Sequence, residues 1–73
     1  MTKKLKRAIF EWLYNHENTW LRLNECVKAF RKYIYTDDGE FDDLAGGRKV
    51  YEYIKQCDAL LYGADDIDLI NKL

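Results

Sequence analysis

The alternation of apolar and polar positions is clearest from Gly46 to Ile70, GGRKVYEYIKQCDALLYGADDIDLI. At about 100° per residue, Val50, Tyr53, Ile54 and Cys57 fall on one face of a helix, and Arg48, Lys49, Glu52, Lys55 and Gln56 fall on the other. The period then changes from helical to alternating. Ala59-Leu60-Leu61-Tyr62 reads as a strand, Gly63-Ala64-Asp65-Asp66 as a turn, and Ile67-Asp68-Leu69-Ile70 as a half-buried returning strand. The pattern predicts an amphipathic helix running straight into a short β-hairpin.

Upstream, Thr2 is placed to cap a first helix over Lys3 to Tyr14, with Leu5, Ala8, Ile9, Trp12 and Leu13 as its apolar stripe. Lys3, Lys4, Lys6 and Arg7 crowd its first turns and oppose the helix dipole. Two readings fit them: a solvated N-terminus, or a surface for an anionic partner such as phosphates. Phe10 and Tyr14 flank the stripe and suit either a wide apolar face or a contact with a partner protein or second copy. Asn15-His16-Glu17-Asn18 reads as a helix exit, with His16 as a cation at the negative helix end. Thr19-Trp20-Leu21-Arg22-Leu23 alternates and reads as a short strand. Asn24 then caps a second helix from Glu25 to about Tyr35, with Leu23, Val27, Phe30 and Ile34 on its core side and Lys28, Arg31 and Lys32 outward. Residues 36–43, TDDGEFDD, form an acidic connection. They do not match a calcium loop, because Ile34 would occupy the first ligand place.

The chain has 73 residues, 48% of them hydrophobic, and no proline. This predicts one small folded domain over 1–73 rather than a disordered segment. No apolar run is long enough to span a bilayer, and Glu11 and Asn15 interrupt any secretory apolar region. Two cysteines without CxxC spacing fit a reducing, cytoplasmic setting and buried, inert thiols. Net charge is −1, yet residues 1–32 carry +5 and residues 33–73 carry −6. That asymmetry points to an oriented partner.

The predicted order is helix, strand, helix, acidic loop, helix, strand, turn, strand, which is an α+β arrangement. It resembles the winged-helix class of helix-turn-helix domains over essentially the whole chain. TWLRL stands at that family's first strand, NECVKAFRKYI at its second helix, GGRKVYEYIKQCD at its third, and ALLYG with DIDLI at its wing. The resemblance implies a small DNA-binding transcriptional regulator of phage or plasmid type, with the third helix (about 46–58) in the major groove of double-stranded DNA. Carried over by position, Arg48, Lys49, Lys55 and Gln56 would face the DNA, with Tyr51 at the edge. Arg22, Lys28, Lys3 and Lys4 would clamp phosphate. A homodimer would bring two basic surfaces together.

Several carboxylates oppose this reading. The wing tip is acidic, Glu52 sits in the outer face, and the 37–43 loop lies where phosphates would approach. The alternative is a protein-interaction winged helix that docks on a partner protein, and inhibits it, through Asp37, Asp38, Asp42 and Asp43 or through Phe10 and Tyr14. No nucleophile–base pair can be assembled from one histidine and two stripe-embedded cysteines, and no metal or cofactor motif is present, so an enzyme is not expected. Gly46-Gly47 lacks the lysine spacing of a P-loop and reads as a hinge or a tight start to the helix.

Overall fold

A computed structural model describes residues 1–61 of the chain. It contains α1 (Lys3–Tyr14), α2 (Arg22–Ala29), α3 (Arg31–Ile34) and α4 (Gly47–Leu61). Among the described residues there is no strand, only a single antiparallel bridge between Tyr35 and Phe41. The described residues therefore form a compact all-helical unit, and the α+β winged-helix expectation is corrected. Helix α4 is the hub, packing against α1, α2 and α3. Ile9 and Leu13 from α1, Cys26 from α2, Ile34 from α3, and Val50, Ile54 and Cys57 from α4 form the buried core. The heptad-like spacing of the α1 and α4 stripes produces this burial directly.

The strand expected at Thr19–Leu23 is a turn followed by the start of α2. Arg22 N donates to Thr19 O at 3.1 Å, and Glu25 N to Leu21 O at 3.0 Å. The alternation misled because the polarity is inverted: Trp20 is 79% exposed while Arg22 is buried. A partner on another helix decides this. Arg22 Nε donates to Asp58 Oδ1 at 2.6 Å, and its terminal nitrogen donates to the Asp58 carbonyl at 3.1 Å. Helix α2 consequently opens before Asn24, which lies in its first turn rather than capping it. It ends at Phe30, whose backbone (φ −107°, ψ 23°) kinks the segment before α3 resumes.

The strand expected at 59–62 is also corrected as far as Leu61, because α4 continues through Ala59, Leu60 and Leu61. Ala and Leu are the strongest helix formers, and no glycine or proline interrupts them. The Arg22 guanidinium also donates to the Asp58 carbonyl, tying α2 to the later turns of α4. Tyr62, the expected turn at 63–66 and the returning strand at 67–70 lie outside the described residues. A helix-turn-helix joins its two helices by three or four residues. Here α3 and α4 are joined by residues 35–46, which carry a loop of their own. Thr36 N donates to Glu40 O and Asp42 N to Ile34 O, each at 2.8 Å, with Gly39 in the left-handed region (φ 84°).

Two adjacent glycines start α4 for different reasons. Gly46 takes φ 75°, which a side chain disfavours. At Gly47 a Cβ would lie 2.0 Å from the Ile34 carbonyl oxygen, and its N–H donates to Asp42 O at 2.8 Å. That close approach brings the first turn of α4 against the end of α3. Among the described residues, no helix is long and apolar enough to cross a membrane.

Candidate nucleic-acid interface

The side chains that converge on the surface come from three places: the first turns of α1, the kinked α2–α3 segment, and the first turns of α4. Thr2 Oγ1 accepts from Leu5 N at 3.1 Å and fixes the start of α1, whose first turn holds no acid. Lys6 is tied to α4, because Tyr53 donates from its hydroxyl to the Lys6 carbonyl at 3.4 Å and the Lys6 ammonium lies 5.8 Å from the Tyr53 ring centre. The kink at Phe30 carries Arg31 and Lys32. The Gly46-Gly47 start delivers Arg48 and Lys49.

Three clefts run along these elements. The first, about 420 Å³, is lined by Lys28, Arg31, Lys32, Tyr35 and Asp37 among others. The second, about 110 Å³, includes Lys32, Tyr33 and Lys49. The third, about 360 Å³, includes Lys6, Arg48, Lys49, Glu52 and Gln56. Lys32 lines the first two and Lys49 the last two, so neighbouring clefts adjoin at a shared lysine. The result is a cation-lined track with tyrosines along it. Arg48 is held in place: its guanidinium carbon lies 4.5 Å from the Phe41 ring centre and its Nε donates to Asp43 Oδ1 at 2.8 Å. Phe41 is itself braced by Tyr35 and, edge-on, by Tyr51.

Of the residues the sequence assigned to DNA, Arg48, Lys49 and Gln56 meet in the third cleft, and Lys28 lies in the first, 3.6 Å from Glu25 across an exposed pair. Lys3 and Lys4 are exposed on the first turn of α1, and Lys55 lies over the half-buried Tyr51 ring at 5.7 Å; none of these lines the three clefts. Arg22 is not at the surface at all, being committed to Asp58. Arg31 and Lys32, which the sequence placed only as outward residues, and Lys6, which it placed only in the basic first turns of α1, line the clefts instead. Their outward positions were readable, but their neighbours on α4 depend on the Phe30 kink and the Gly47 approach, which no helical period encodes.

The residues assigned to protein docking scatter. Asp37 and Asp38 are exposed, Asp42 Oδ1 accepts from Ala45 N at 3.2 Å, and Asp43 is engaged by Arg48. Phe10 is half-buried, its ring tilted by 31° against that of the exposed Tyr14 with centres 5.9 Å apart. His16 stacks on Trp12 with ring centres 3.6 Å apart, at the end of α1.

Beneath the surface, Cys26 and Cys57 are fully buried. Burial pushes the Cys26 thiol up to about 12, with Asp58 and Cys57 adding to the effect and Arg22 opposing it. Burial also raises Cys57, against a hydrogen bond with Tyr53 that lowers it. Tyr53 is raised first by burial and then by that same contact. These thiols stay protonated near neutral pH and are poor nucleophiles. Among the described residues, no three His, Cys, Asp or Glu side chains converge to hold a metal. No protein-family model, curated protein or solved structure matches this chain.

Proposed function

We propose that this domain is a small DNA-binding regulator that grips the phosphate backbone along the cation-lined track and turns the exposed face of α4 toward the DNA. The observation that carries the reading is the sharing of Lys32 and Lys49 between adjoining clefts, whose linings together hold Lys28, Arg31, Lys32, Lys49, Arg48 and Lys6. A chain of net charge −1 has no general attraction for nucleic acid, so binding must come from such a local concentration. Helix α4 is about 22 Å long and offers Arg48, Lys49 and Gln56, residue types suited to guanine and adenine edges. The test is anisotropy of a labelled mixed-sequence duplex at low salt. Lys32→Gln and Lys49→Gln should each weaken binding and flatten the slope of log K against log salt by about 0.9. Unchanged slopes would reject the reading.

A second reading, docking of a partner protein, draws support from Trp20 and Leu21, both exposed in the turn between α1 and α2, and from Tyr14. Aromatic side chains of this kind anchor protein interfaces. These residues are distinct from the basic track, so Trp20→Ala should abolish protein docking and leave DNA affinity unchanged.

A further inference from the structure

The middle cleft differs in chemistry from its neighbours. It is the smallest of the three at about 110 Å³, and no carboxylate lines it, whereas Asp37 lines the first and Glu52 the third. Apolar groups, Leu5 and Val50 among them, make up much of its lining, Lys32 and Lys49 are its charged side chains, and the N-terminal residue Met1 also lines it. Tyr33 is the aromatic in that lining and is 40% exposed. Phe30 steadies the Tyr33 ring, with centres 6.3 Å apart and planes tilted by 42°, and the Lys32 ammonium lies 5.3 Å from its centre. At Gly46, which also lines the cleft, a Cβ would meet nothing within 4 Å, so the space beside it is open.

An apolar slot with an exposed aromatic ring and two lysines suits a flat heteroaromatic ring carried on a phosphate chain. We infer that the Tyr33 cleft takes one unpaired nucleobase, with Lys32 and Lys49 meeting the flanking phosphates, so that the track prefers single-stranded DNA over a closed duplex. This rests on the DNA-binding reading above and narrows its ligand. In a duplex both faces of each base are covered by neighbours, so a paired base has no face to offer Tyr33. An unpaired base of any identity has one, and stacking of this kind tolerates sequence.

The experiment compares anisotropy of a labelled oligothymidylate with that of a blunt mixed-sequence duplex, using the full chain. Wild type should bind the single strand more tightly. Tyr33→Ala should lower single-strand affinity about tenfold and duplex affinity by clearly less, while Tyr33→Phe retains both. Tyr33→Leu keeps apolar bulk without the ring and should behave as Tyr33→Ala does, which settles the matter should the alanine variant unfold. A stronger grip on duplex, or equal losses on both probes, overturns the inference while leaving DNA binding intact. Failure of wild type to bind either probe overturns the DNA-binding reading and this inference with it.

Discussion

Arg22 and Asp58 are the charged pair in the described interior, with side chains 3% and 12% exposed. A buried pair of this kind is costly to leave half made, because the remaining charge has neither water nor partner. Arg22→Met should therefore destabilise the fold by about 3–5 kcal/mol, as should Asp58→Ala. For a domain of this size that is most of the available stability. The double variant Arg22→Met with Asp58→Leu should recover much of the loss, since neither charge is then stranded. Urea melts followed by circular dichroism measure all three. If Arg22 acted on DNA instead, its loss would weaken binding without shifting the melt.

The buried thiols give a second prediction at this scale. Cys26 has a folded pKa of about 12 against an ordinary value of 9.0. Between those values the unfolded chain has lost the proton while the folded chain keeps it, so the unfolded state binds fewer protons and stability falls as pH rises. Cys57 is raised in the same direction. Stability should be level below about pH 9 and decline from there toward pH 12, at up to about 1.4 kcal/mol per pH unit for each thiol. Cys26→Ser tests the origin: its melt should lose part of that alkaline slope.

At the scale of the element, long amphipathic stripes were legible and short signals were not. The stripe of α1, with its Thr2 cap, and the stripe of α4 through Cys57 each carry enough turns for the helical period to dominate. Five residues from Thr19 to Leu23 carry too few, and Asp58, 36 residues beyond Arg22, decided which side faced inward. Of the two readings of Gly46-Gly47, hinge or tight helix start, the close approach at Gly47 gives the tight start its physical form. Gly47→Ala should force the chain away from Ile34, whose carbonyl oxygen would sit 2.0 Å from the new Cβ. Since backbone, not a flexible side chain, is in the way, the expected loss is at least about 2 kcal/mol. Gly46→Ala meets no such wall and should cost only the left-handed conformation, about 1–2 kcal/mol. Comparing the two melts separates contact from conformation.

At the scale of the whole molecule, the charge halves of the sequence do not become halves of the surface among the described residues. Asp43 from the acidic loop pairs with Arg48, and Asp37 shares the first cleft with Lys28, Arg31 and Lys32. The candidate site was thus half legible: its α4 members followed from helical position, while Arg31 and Lys32 joined them only through folding around Phe30 and Gly47. Interleaving gives these carboxylates a definite sign. If DNA lies along the track, Asp37 and Asp43 repel its phosphates and compete for the cations, so neutralising either should strengthen binding. Exposed charges about 10 Å apart in a water-like medium interact by roughly 0.4 kcal/mol before salt screening, so Asp37→Asn should raise affinity about twofold at low salt. Asp43→Asn should raise it somewhat more, because it also releases the Arg48 guanidinium from its 2.8 Å partner. Both gains should fade as salt is added. A protein partner docked on the acidic loop requires the reverse, with the same substitutions weakening its binding, so the direction of the change in anisotropy assigns the loop to one role or the other.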